Sequence, residues 1–133
     1  EIELRWQPGR FNLSAHYARV SLEADTSYVN YNNDIPQSAP RVSGGLLAEY
    51  RLDSGWRASV GCWYSDQVKW LTEGDLVPAF TRVDARLARR WNWRGTTVEA
   101  ALTGQSLAGD YYEFRDTNRF TPRVAGSLAI SWP

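Results

Sequence analysis

Ser14 and His16 are the residues whose types and spacing come nearest to a catalytic arrangement. In a β-strand, residues two apart lie on the same face, so this hydroxyl and imidazole can be neighbours, as a hydrolase requires of its nucleophile and base. No recognisable acid completes a triad, and the sequence contains no GxSxG, phosphate-loop or dinucleotide-binding motif. His16 is the only histidine and Cys62 the only cysteine. We therefore predict that the chain is not an enzyme and that it holds no metal or other cofactor.

The charge balance also excludes some function classes. Fifteen basic and fifteen acidic residues cancel and are scattered along the 133 residues, so no basic surface points to nucleic acid. The sequence has no run of 18 apolar residues, which is about the length that a transmembrane helix needs. Residues 1–133 are expected to form a single unit, and tryptophan and tyrosine, with seven each, are its unusually common residues.

Alternation of apolar and polar residues is the dominant pattern, and it predicts β-strands rather than helices. Seven segments show it: residues 2–7, 11–18, 41–52, 56–65, 82–93, 97–105 and 124–132. In these segments the apolar face carries one charged residue, Arg89, whereas the other face is polar and charged. A soluble sandwich or a lipocalin-like barrel would turn the apolar face inward, and a transmembrane barrel would turn it outward.

Three features favour the transmembrane barrel. Short connections at 7–10, 53–55 and 94–95 alternate with long ones at 22–40, 66–79 and 106–121, as in outer-membrane proteins. The strands are about ten residues long, as a tilted membrane crossing requires. Large aromatic residues collect at the short-turn ends, where a bilayer interface would favour them: Trp6, Phe11, Tyr50, Trp56, Trp91, Trp93 and Trp132. The sequence thus predicts an all-β, antiparallel meander of about seven to eight transmembrane β-barrel strands, with its C-terminus on the periplasmic side.

The strand count bears on completeness. Bacterial single-chain barrels have an even number of strands, so seven strands predict either a missed strand, for example around residues 28–31, or part of a larger barrel. Because the sequence begins within an alternating strand pattern, we expect the chain to be part of a larger barrel.

Several segments resemble one family when they are taken in order. They are Ile35–Pro40, Phe80–Ala88, Asp110–Phe114, and Arg123–Val124 with the terminal strand. Together they make the chain similar to the C-terminal third of a TonB-dependent receptor. The resemblance implies a 22-stranded barrel in the bacterial outer membrane, closed around an N-terminal plug. It implies uptake of a siderophore or similar iron chelate, with energy supplied through TonB. The alternatives are a self-contained eight-stranded structural or adhesion barrel, an outer-membrane enzyme, and a soluble ligand-binding barrel.

Two groups of residues are candidate sites. The lumen face carries a charge ladder that can contact a plug or line a path, or else hold neighbouring strands together as cross-strand ion pairs: Glu49, Arg82, Asp84, Arg86, Arg90 and Glu99. Aromatic residues at the outer end can bind an extracellular ligand: Trp63, Trp70, Tyr111, Tyr112 and Phe114. The competing interpretation of the outer aromatics is a membrane girdle, which would include Tyr64, Phe80 and Phe120.

Overall fold

A computed structural model describes residues 1–23, 35–70 and 75–132, and β-strands dominate these residues. Seven strands form one sheet: β1 (Ile2–Trp6), β2 (Phe11–Arg19), β3 (Val42–Arg51), β4 (Trp56–Ser65), β7 (Phe80–Trp93), β8 (Thr96–Gln105) and β11 (Arg123–Ser131). Two small hairpins lie in the long connections: β5 (Val68–Lys69) with β6 (Leu76–Val77), and β9 (Tyr111–Glu113) with β10 (Arg115–Phe120). Single 3₁₀ turns cover Ile35–Gln37 and Asp53–Gly55. No helix among the described residues is long and apolar enough to cross a membrane.

The seven long strands are antiparallel, and their order is β1-β2-β3-β4-β7-β8-β11. Each therefore pairs with the next long strand along the chain, which confirms the predicted meander and all seven predicted strands. The short connections lie at one end of the sheet and the long ones at the other. In the described part of the chain the sheet is open, with β1 and β11 at its edges. The extra strand considered around residues 28–31 lies outside the described residues.

The register assigns the two faces of the sheet. Leu13, Ala48, Val60 and Ala85 lie opposite one another on successive strands, in one of the rows that form the apolar face. His16, Gly45, Trp63 and Arg82 form a row of the polar face in the same way. The predicted alternation is thus confirmed, with one correction. Arg19, opposite Val42 at the end of β2, adds a second charge to the apolar face, because β2 runs one residue further than the alternation indicated.

No second layer covers the apolar face within the described residues. Its side chains are open even at the centre of the strands: Leu87 is 45% exposed, Leu102 57% and Leu128 66%. The buried hydrophobic residues are few and do not form one cluster: Val68, Val77, Ala88, Val98 and Tyr111. Soluble domains bury an apolar sheet face against another layer. In this sheet the described residues supply only hydrogen-bonded neighbouring strands and no such layer.

One glycine allows a close approach at the short-turn end. Gly55 has a φ of +78° in the turn between β3 and β4, and a Cβ there would overlap the Arg90 carbonyl oxygen. A larger residue would therefore face both left-handed backbone strain and a collision with β7.

Candidate functional site

The largest side chain on the polar face, Trp63, lies across a glycine floor. Gly45 is opposite it on β3, and Gly61 precedes it by two residues on β4. A Cβ on either glycine would overlap the indole ring, so both positions must stay small for the ring to lie flat. On the other side, Arg82 is opposite Trp63 on β7, and its guanidinium carbon is 5.5 Å from the ring centroid. This is a cation–π contact in the middle of the sheet.

Arg82 also links the sheet to the connection that follows β8. Its Nε donates to Asp84 Oδ1 at 3.0 Å and its Nη2 to Oδ2 at 2.5 Å. Asp84 Oδ1 accepts a further hydrogen bond from the Ser106 backbone N–H at 2.9 Å, and Arg82 Nη1 donates to the Tyr111 hydroxyl at 3.4 Å. Charge-assisted bonds of this kind are stronger than neutral ones. Arg82 and Asp84 thus fix the connection over the polar face.

Tyr111 is the centre of a buried aromatic stack. Its ring is 4.6 Å from that of Phe80 and 5.0 Å from that of Phe120, in both cases nearly parallel, and the residue is only 4% exposed. Burial raises the pKa of the Tyr111 phenol, and the positive charge of Arg82 opposes that rise. Phe80 is opposite Ser65 and therefore belongs to the polar face. The girdle interpretation is wrong for Phe80, because β7 begins two residues earlier than the predicted segment and places this ring on the polar face against Tyr111.

The other outer aromatics form a separate, open group. The rings of Trp70 and Phe114 are 5.7 Å apart, and both residues are exposed. They sit on different hairpins, which are joined where the Asp75 N–H donates to the Phe114 carbonyl at 3.1 Å. Tyr112 is half-buried and makes no ring contact within the described residues. Among the five predicted ligand residues, the structure therefore pairs Trp70 with Phe114 and connects Trp63 to Tyr111 through Arg82.

The charge ladder is only partly a set of cross-strand pairs. Arg86 Nη2 contacts Glu99 Oε1 at 2.7 Å across strands, as that interpretation predicted. Arg82 pairs with Asp84 within one strand, and Glu49 pairs with Arg51 at 3.3 Å within another. Arg90 is opposite Glu99 in register, yet no ion pair joins the two side chains.

Ser14 and His16 share the polar face. Their direct cross-strand neighbours are Arg5 and Leu47 for the serine, and Glu3 and Gly45 for the histidine. No hydrogen bond joins the two side chains, and the described residues hold no group of three or more acidic, histidine or cysteine side chains placed to bind a metal ion.

Sequence reasoning missed two parts of the site. The glycine floor had a signal, because Gly45 and Gly61 share the alternating face of Trp63. The Ser106 contact with Asp84 had none, because it depends on how the connection after β8 folds back.

No known protein family, curated protein or solved structure matches this chain.

Proposed function

We propose that the chain is an arc of a transmembrane β-barrel in a bacterial outer membrane, from the C-terminal part of a TonB-dependent uptake receptor. Its apolar face contacts lipid and its polar face lines the lumen. The short connections are periplasmic, and the hairpins in the long connections form part of an extracellular ligand-binding rim. The chain contributes binding and passage rather than chemistry.

The observation that carries this proposal is the uncovered apolar face. A soluble protein rarely exposes a contiguous apolar surface of more than a few hundred Å². Here no layer covers one face of a seven-stranded sheet within the described residues, and most of the large side chains on that face are exposed. Its two charged residues lie towards the strand ends. Arg89 is at the short-turn end, where its guanidinium carbon is 5.4 Å from the Trp56 ring centroid. Such a position lets an arginine side chain reach the interface.

The large aromatic residues at the short-turn ends of the strands, which we call the aromatic rim, supply a second, independent support. A cross-strand row consists of the residues that lie opposite one another on successive strands, and each row is named by its β7 residue. From β1 to β11, the rim residue moves to rows with higher numbers. Trp6 of β1 lies in the row of Ala85, Trp56 of β4 in the row of Arg89, and Trp132, which follows β11, is level with Trp93. Between rows 85 and 93 the shift is eight residues over six strand-to-strand steps.

That shift converts into a strand tilt. Eight residues at about 3.3 Å each are roughly 26 Å, and six steps at about 4.8 Å are roughly 29 Å. If the rim is level in the membrane plane, the strands are inclined by about 40°, within the range of about 35–45° for transmembrane barrels. Soluble barrels have a similar strand tilt, but a level line of large aromatic residues is the arrangement that a membrane interface favours.

The open edges favour an arc over a complete small barrel. With seven strands, β1 and β11 run in the same direction, so pairing them directly would be parallel. Antiparallel closure therefore requires an odd number of additional strands. In lipid each unpaired backbone group costs several kcal/mol, so the edges need partners. In a TonB-dependent receptor the rest of the barrel would supply these strands, and the plug, TonB and an iron chelate would be the partners of the chain.

The membrane part of the proposal is tested by fluorescence quenching from lipid. The chain is refolded into vesicles that contain lipids brominated along their acyl chains. We expect strong quenching of the tryptophans on the apolar face, and loss of part of it in a Trp56→Phe variant. Trp63→Phe is the matched control, because Trp63 is on the same strand and the opposite face, so its removal should leave the quenched component unchanged. Quenching that is absent, or that disappears only with Trp63, would contradict the proposal.

The receptor part requires the full-length protein in cells. Cells without the gene should lose uptake of a radiolabelled ferric chelate, and an uncoupler of the proton gradient should abolish the same component in wild-type cells. Uptake that persists in the deletion strain across a panel of ferric chelates would argue for a structural barrel instead.

A further inference from the structure

The polar face of the sheet is unequally charged. Its strands carry seven arginines: Arg5, Arg51, Arg57, Arg82, Arg86, Arg90 and Arg123. They carry four carboxylates: Glu3, Glu49, Asp84 and Glu99. The whole chain is neutral, so this excess of positive charge is a property of one surface.

All four carboxylates already have a partner on the same face. Glu3 is 3.9 Å from Arg5, and the other three pair with Arg51, Arg82 and Arg86. Arg123 donates to Gln105 at 2.7 Å. Within the described residues, Arg57 and Arg90 are left with neither an ion pair nor a hydrogen bond.

The two surplus arginines lie together near the short-turn end of β4 and β7. Arg57 is directly opposite Arg51 on β3, and opposite Ala88 on β7. Ala88 is flanked along β7 by Arg86 and Arg90, so Arg57 has arginines on both sides. We name Arg51, Arg57, Arg86 and Arg90 the arginine patch.

Like charges directly across a strand pair are unfavourable. Glu99 is directly opposite Arg90, but its carboxylate contacts Arg86 at 2.7 Å and not Arg90. The described residues therefore leave the arginine patch with more positive than negative charge.

We propose that the arginine patch is the docking surface for an acidic polypeptide segment that packs against the polar face of the sheet. Charge complementarity identifies the partner class, because carboxylates pair with guanidinium groups bidentately. The proposal depends on the sheet register and the charges, and it does not require the apolar face to contact lipid.

The spacing of the patch favours a polypeptide over a compact anion. Arg51, Arg57 and Arg90 lie on three successive strands, so they spread over about 10 Å across the sheet at about 4.8 Å per strand. In an extended segment, alternate side chains repeat at about 6.6 Å on one side. Two or three carboxylates of an alternating acidic segment can therefore reach different arginines at once.

The test measures binding of a labelled peptide with four Glu-Ser repeats to the folded chain in an uncharged detergent, by fluorescence anisotropy. We expect binding that weakens as salt is added, because screening reduces attraction between exposed charges. The double variant Arg57→Gln with Arg90→Gln should bind at least tenfold more weakly. The corresponding double lysine variant, which keeps both charges, should retain most of the affinity.

Arg89→Gln is the matched control, because Arg89 lies between the same strand neighbours on the opposite face and its loss changes the charge in the same direction. It should leave binding unchanged, and a peptide with Gln-Ser repeats should not bind. If the double glutamine variant does not fold, the single variants are used, each expected to weaken binding about threefold. The proposal is overturned by absent binding to the unmodified chain, by an equal loss in Arg89→Gln, or by tripolyphosphate displacing the peptide at equal charge concentration, which would indicate a small-anion site.

Discussion

Replacement of Leu128 by arginine should destabilise the folded chain in lipid far more than replacement of its neighbour Ser127. Leu128 is on the apolar face of β11, opposite Ala100. Ser127 is on the polar face opposite Ala101 and is exposed. Because both residues belong to the same edge strand, any fraying of that strand affects the two variants alike.

The magnitude follows from depth. Leu128 precedes the rim residue Trp132 by four residues, which is about 13 Å along the strand at about 3.3 Å per residue. With a tilt of about 40° it lies roughly 10 Å above the rim, near the middle of an apolar band about 25 Å tall. An arginine there should cost about 2–4 kcal/mol. Ile130→Arg, two residues nearer the rim, should cost about half as much, and Ser127→Arg less than about 0.5 kcal/mol.

The assay is reversible urea unfolding in phospholipid vesicles, followed by tryptophan fluorescence. If the apolar face instead met water, all three arginine variants would be nearly neutral. If it were a buried core, Ile130→Arg would cost as much as Leu128→Arg. Either result would refute the lipid-facing assignment.

Three further outcomes are expected. Gly61→Val should cost about 1–3 kcal/mol through overpacking against the indole that lies on it. Gly126→Ala should cost well under 1 kcal/mol by urea unfolding, because its Cβ would meet only the Ala101 carbonyl oxygen, at an ordinary contact distance of 4.0 Å. A difference titration between the native chain and Tyr111→Phe should show the Tyr111 phenol ionising above its ordinary pKa. Because the pKa is raised in the folded state, the neutral phenol contributes stability below about pH 10, and that contribution is lost as the pH rises further. Glu99→Gln should destabilise the fold more than Arg86→Gln, because it leaves the surrounding arginines without a carboxylate. The coupling between Arg86 and Glu99 in a double-mutant cycle should stay below about 1 kcal/mol, because both side chains are partly exposed.

The sheet was predictable because its signal is repeated on every strand. Alternation over residues 82–93, for example, assigns the faces of β7 correctly and covers all but its first two residues. The order of the seven strands follows from pairing each strand with the next one along the chain. Arg19 lay outside the predicted segment 11–18, because the alternation ends one residue before β2 does.

The candidate site was less predictable because it depends on the connections. Trp63 was assigned to the polar face from alternation alone. The stacking of Tyr111 between Phe80 and Phe120 required the β9–β10 hairpin to fold back over β7, and no local pattern specifies that. The charges were placed on the correct face, but which arginine pairs with which carboxylate depends on side-chain reach rather than on spacing.

Ala88 illustrates a further limit. Its position on the polar face would make it an obvious site for a tolerated charge. The structure leaves it only 2% exposed, directly opposite Arg57 and Ala101. An arginine there would meet both steric crowding and like charge.

The central claim, that the apolar face of this sheet requires a lipid environment, is tested most directly by folding the chain with and without amphiphile. Samples in aqueous buffer, detergent micelles and phospholipid vesicles are compared by far-UV circular dichroism and analytical ultracentrifugation. We expect β-structure with cooperative unfolding only when detergent or lipid is present, and aggregation in buffer alone. A monodisperse, β-rich monomer that unfolds cooperatively in buffer without detergent would contradict it.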